Sequence, residues 1–122
     1  MHRILAIAVA GVLLASAAAC GGSSDPGTGT PAGGCDVPAA HACIEWSNTA
    51  AGNAQTACSY THGAWSTTLC SPSARIGRCA VDYGSYVMTV SYYPGAGTAA
   101  DLRQACEQSS GQGGVTTTWT AG

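Results

Sequence analysis

Cysteine and histidine are the residues of this chain with the widest chemical repertoire. The 122 residues include three histidines and seven cysteines: Cys20, Cys35, Cys43, Cys58, Cys70, Cys79 and Cys106. His41-x-Cys43 and Cys58-x₃-His62 together offer two nitrogens and two sulfurs, the donor set of a zinc site. Against zinc, the spacings are irregular and four further cysteines would stand unused beside the metal. Disulfides formed among Cys35, Cys43, Cys58, Cys70, Cys79 and Cys106 absorb every one of those thiols, in a pairing the sequence leaves open. No metal and no cofactor is expected.

Acid–base or nucleophilic chemistry would have to draw on His41, His62 and Glu45 with one of the serines. The chain contains no Gly-x-Ser-x-Gly elbow, no His-Glu-x-x-His and no phosphate-cradling loop. Glu45 lies between Ile44 and Trp46 in an expected strand, where it would ordinarily face water. The reading is therefore not an enzyme. Flat amphipathic side chains offer a second kind of site, since Tyr60, Tyr83, Tyr92, Tyr93 and the three tryptophans have the surfaces that stack on sugars or protein partners. A third is a rigid displayed loop, for which Ser66–Ser73 is the candidate. Disulfide scaffolds often present such loops as protease inhibitors.

The seventh cysteine, Cys20, has its own context. Met1-His2-Arg3 is a short positive segment, Ile4–Leu14 is apolar, and Ala15–Ala19 consists of small residues, the order of an export signal. Ile4 to Ala19 amounts to only sixteen weakly apolar residues, whereas a spanning helix needs roughly 20. Ala17-Ala18-Ala19-Cys20 resembles the lipobox of bacterial lipoproteins, with Ala17 where that family favours Leu. The resemblance implies that residues 1–19 are a lipoprotein signal peptide and that Cys20 becomes the acylated N-terminus. Acylation also removes the odd thiol and leaves an even six. Gly21 resembles lipoproteins sorted onward to an outer membrane, where the cell has one. Ala17-Ala18-Ala19 equally satisfies an Ala-x-Ala secretory site, whose use would release a soluble protein.

Residues 20–34 read as the lipidated cysteine and a flexible tether. Gly21 to Gly34 holds six glycines and two prolines among small polar residues, with nothing to bury. As a coil, its length is roughly 20 Å. The domain proper is expected over residues 35–120. Its mature charge is weak, three arginines against six acids and no lysine, so nothing draws it to nucleic acid. From Cys35 onward there are only nine Val, Ile and Leu, and the chain has no Phe. A core that thin calls for disulfides, each worth about 2–4 kcal/mol, and for buried aromatic rings.

These residues must be positioned by short elements. Tyr86–Tyr93 alternates cleanly and predicts a strand, with Tyr86, Met88, Val90 and Tyr92 on one face. Ile76–Val81 is its expected partner, joined through the turn-forming Asp82-Tyr83-Gly84-Ser85. Thr98 followed by Asp101 resembles a capping box and predicts a helix over Ala99–Gln108, which Gly111–Gly114 ends before a strand at Val115–Thr120. A weak repeat runs through the chain. Ile44-Glu45-Trp46, then Ala57-Cys58, Gly63 and Trp65, is echoed by Val90–Tyr93, then Ala105-Cys106, Gly114 and Trp119. The first helix has Gly52 and Asn53 against it.

The expected fold is α+β, a small disulfide-rich domain in which two related β-α-β units flank a central hairpin. One sheet with antiparallel strands carries two short helices on one face. This Cys/Gly/Trp layout looks like that of small six-cysteine bacterial lipoproteins of unassigned function. The functional expectation is a non-enzymatic, lipid-anchored cell-envelope domain acting by display or interaction, bound to the membrane through its N-terminal lipid, with a protein or glycan partner. The alternative is a secreted or anchored binding or inhibitor module, for a glycan or a protease.

Overall fold

The computed structural model describes residues 29–122. The signal segment 1–19, Cys20 and the tether as far as residue 28 lie outside the described residues. Six strands and two helices follow in order: β1 (Gly34–Val37), β2 (Ala42–Ser47), α1 (Ala51–Tyr60), β3 (Ala64–Ser66), β4 (Gly77–Asp82), β5 (Val87–Tyr92), α2 (Ala99–Gln108) and β6 (Thr116–Ala121).

Local chemistry explains most of the boundaries. Pro38 follows β1 and supplies no ladder N–H. His41 then takes a left-handed φ of 52° and donates its N–H to the Pro38 carbonyl at 3.0 Å, which reverses the chain into β2. Between β4 and β5 the Asp82 carboxylate accepts from the Gly84 N–H at 2.8 Å, and Gly84 takes the positive φ of 94° that the turn needs. The Thr98 hydroxyl accepts from the Asp101 N–H at 3.1 Å and starts α2 at the expected residue. By contrast the N-cap position of α1 is held by Ala50, which has no side-chain acceptor to cap with.

The sheet order is β3-β1-β2-β5-β4-β6, and every neighbouring pair is antiparallel. The expected β-α-β units are present as β2-α1-β3 and β5-α2-β6, but each is split by the strand that precedes it: β1 lies between β2 and β3, and β4 between β5 and β6. The β4–β5 hairpin thus belongs to the second unit and does not stand between the two. What joins the units is β2 against β5, from Ala42↔Tyr92 to Ser47↔Val87. Mirrored strand order about an antiparallel pair gives the domain an approximate two-fold axis through the sheet.

Register shows that the repeat is one of three-dimensional structure. Cys35 in β1 stands opposite Ile44 and Trp65, and Cys79 in β4 stands opposite Val90 and Trp119. Cys35 is bonded to Cys58 at the end of α1 and Cys79 to Cys106 at the end of α2, so the same bridge ties strand to helix twice. Directly paired residues point to the same side of a sheet. Cys35, Ile44, Val90 and Cys79 therefore share a face, and both helices lie on it. Two residues before each strand cysteine comes a glycine, Gly33 or Gly77. Trp119 lies against Gly77, and Trp65 lies 2.8 Å from where a β-carbon on Gly33 would sit. Each edge tryptophan folds inward over the strand beside it only because that place is glycine.

The core is made of cystine more than of hydrocarbon. Cys35, Cys58, Cys43, Cys70, Cys79 and Cys106 are all buried, with Ala42, Ala54 and Trp46, while no Val, Ile or Leu of the domain is. Of the aromatic residues expected inside, only Trp46 is buried; Trp65, Trp119, Tyr86, Tyr92 and Tyr93 are half-buried, and Tyr60 and Tyr83 are exposed. A buried cluster of Cys35, Trp46, Ala54 and Cys58 lies under α1. Neither helix packs appreciably on β5: α1 rests on β2 and β3, α2 on β4 and β6.

Candidate functional site

The residues with the richest chemistry are dispersed by the fold. Cys43 points to the open face of the sheet, where it bonds Cys70, while Cys58 bonds Cys35 on the helix face. Two of the four donors of the zinc set are therefore closed into different disulfides on opposite sides of the sheet. The His41 ring lies against Gly95, with Nδ1 2.8 Å from where a β-carbon would stand there, and the side chain remains exposed. His62 is exposed in a left-handed turn after α1. Among the described residues no group of His, Cys, Asp and Glu is arranged to hold a metal ion.

Glu45 departs from its expected place in water. It is half-buried beneath the segment between β3 and β4, and its carboxylate accepts the Cys70 N–H at 2.7 Å. One residue on, the Tyr93 hydroxyl donates to the Ser71 carbonyl at 2.7 Å. Together with the Cys43–Cys70 bridge, these bonds pin residues 70 and 71 to the open face. Turns within the segment are fixed by Ser66, which accepts from the Thr68 N–H at 3.0 Å, and by Ser71, which accepts from the Ser73 N–H at 3.1 Å. Burial pushes the Tyr93 phenol above its ordinary value; the Ser91 hydroxyl and Arg75 guanidinium oppose the rise, and the Glu45 and Asp36 carboxylates add to it. The candidate loop Ser66–Ser73 is thus rigidly held, and Leu69, 43% exposed, stands at its outer side beside a cleft of about 270 Å³.

The expected aromatic platform is not one surface. Tyr92 stacks on Trp119 with centroids 6.4 Å apart, Tyr93 reaches the pinned loop, and Tyr60 projects alone from the end of α1. Tyr83 stacks instead on Tyr86, at 4.8 Å and 20° between planes. Tyr86 in turn borders a cleft of about 370 Å³ on the helix face. Its other walls are Trp46 at the end of β2, the connection Asn48-Thr49-Ala50, Asn53 and Ala57 of α1, and Ser85 of the β4–β5 turn. Asn48 bends the chain there with a φ of 61°. Sequence reasoning singled out Trp46 and Tyr83 but missed Asn48, Asn53 and Tyr86 as a group. The left-handed backbone of Asn48 shows only in the structure, and nothing local in the sequence brings residue 86 beside residue 53.

No protein-family profile, curated protein or solved structure matches this chain.

Proposed function

We propose that this chain is an exported, lipid-anchored interaction domain of the cell envelope, acting by binding and not by catalysis. The observation that carries the reading is the pairing of all six domain cysteines into buried disulfides. Such disulfides form and persist chiefly in oxidising compartments outside the cytoplasm. The export signal and Cys20 supply the route there and the anchor. Two acyl chains hold a protein stably at a membrane where one does not, and the lipoprotein pathway adds at least two.

The test is fractionation. Expressed with its own signal, the protein is expected in the membrane fraction and in the detergent phase, and Cys20→Ala should remove it from both. Wild-type protein found in the medium with an unmodified Cys20 would replace the anchored reading with the secreted one. A second reading, an inhibitor of proteases, is favoured by the exposed Leu69 beside the pinned Cys70 and Ser71. It predicts that Leu69→Asp removes inhibition of a protease that cleaves after large apolar residues, without loss of folding.

A further inference from the structure

We propose that the cleft between the end of β2, the start of α1 and the β4–β5 turn binds a neutral saccharide, with one pyranose ring lying against Tyr86. The proposal rests on the reading of the chain as an interaction domain and names the ligand class of one of its surfaces. Three observations lead to it.

The first is the wall chemistry. Among the eight residues that line the cleft there is no Asp, Glu, Lys, Arg or His. The walls combine two aromatic rings with two amides, two hydroxyls and two small alanines. A pyranose presents the same mixture, an apolar face of C–H groups and a rim of hydroxyls, without charge. The half-exposed Tyr86 ring can stack on the former, with the buried Trp46 behind it, and amides accept and donate in the plane of the latter. An anionic ligand would find no cationic side chain here.

The second is preorganisation. Tyr86 is held by its stack on Tyr83, and Trp46 is fixed in the core under α1. Little side-chain freedom remains to be lost there on binding. The volume of about 370 Å³ falls at the lower end of the roughly 300–1,000 Å³ of small-molecule sites, which suits one or two sugar rings of a longer chain.

The third is unused hydrogen-bonding capacity. Asn48, Asn53 and Ser85 are exposed and, among the described residues, their side chains make no intramolecular hydrogen bond, so their polar groups face water that a ligand's hydroxyls could replace; Thr49 makes one bond, at 3.3 Å to Ser47. At the same place α1 starts without a side-chain cap, whereas α2 has one. The cleft thus opens between water-facing amides and hydroxyls, beside the stacked rings of Tyr83 and Tyr86.

The experiment uses the mature chain carrying Cys20→Ala, titrated with hexasaccharides of β-linked glucose and β-linked N-acetylglucosamine and, as a charged counterpart, a polyuronate. Tryptophan fluorescence and amide chemical shifts report binding. A saturable response to a neutral oligosaccharide is expected, with amide shifts confined to residues 46–57 and 83–86. Tyr86→Ala and Asn53→Ala should each weaken it at least about tenfold. Asn53→Ala guards against a folding artefact, because Ala is the better helix former and the melting temperature should hold or rise. No response to either neutral sugar up to about 10 mM, response to the polyuronate alone, or binding unaffected by both substitutions would overturn the proposal. A protein partner recovered from the envelope, with no saccharide response, would overturn it and leave the interaction domain standing.

Discussion

At the scale of single residues, the domain depends on a few close approaches that leave no latitude. A β-carbon at Gly77 would meet the Trp119 ring, and Trp119 is itself stacked on Tyr92. Gly77→Ala should therefore destabilise by about 1–3 kcal/mol, the usual range for overpacking, seen as a lower melting temperature without loss of the disulfides. Tyrosine ionisation makes the second prediction. Burial raises the Tyr92 phenol above its ordinary 10.0, and Tyr93 is raised for the same leading reason. The unfolded chain then loses these protons first as pH rises. Their contribution to stability is whole below about pH 10 and is lost as pH climbs through the raised folded-state values. Urea unfolding followed from pH 8 to 11 should show a decline that Tyr93→Phe makes shallower. In neutral solution Tyr93→Phe should cost about 1 kcal/mol for the lost bond to Ser71. Glu45 shows why a residue's role was hard to read from sequence. Its alternation correctly puts it on the open face, but its partner is a backbone N–H supplied from residue 70, and no local pattern announces that.

At the scale of elements, those that were legible are the ones defined by their own residues. The strand at Val87–Tyr92 alternates, and α2 has a cap, an amphipathic side and a glycine-rich exit, so its bounds came out at Ala99–Gln108. Strand β1 was not legible because it is four residues long, opens on glycine, ends at Val37 just before Pro38 and is defined only by its partners β2 and β3. Its first residue, Gly34, is also the last residue of the expected tether. The bounds of α1 were obscured for another reason. Gly52 and Asn53 weaken it locally, and it is held by the Cys35–Cys58 bridge and by Ala54 beneath it. The two helices should accordingly fail differently. Replacing Cys35 and Cys58 together by Ala should cost about 3 kcal/mol and speed amide exchange through α1 more than the same change at Cys79 and Cys106 does through α2. At the caps the signs should oppose. Thr98→Ala should destabilise by about 1 kcal/mol, and Ala50→Ser should stabilise by a similar amount.

At the scale of the whole molecule, the two-fold arrangement divides the covalent structure as well as the sheet. Cys35–Cys58 and Cys43–Cys70 lie in the first unit or the loop attached to it, Cys79–Cys106 lies in the second, and no disulfide joins residues before 71 to residues after 76. A protease site placed at the exposed Ser73–Ala74 bond should give a nicked protein that elutes as one particle in native buffer. In denaturant without reductant the same protein should separate into two fragments, observed as two masses. Failure to separate would mean a pairing other than the one described here. The six residue pairs from Ala42↔Tyr92 to Ser47↔Val87 are therefore the seam of the molecule. Under mechanical load the chain would tear there, while the bridges spanning 23 and 27 residues keep most of either half from unravelling. Each torn half would retain its strand cysteine bonded to its helix, and with it a template from which the sheet can close again.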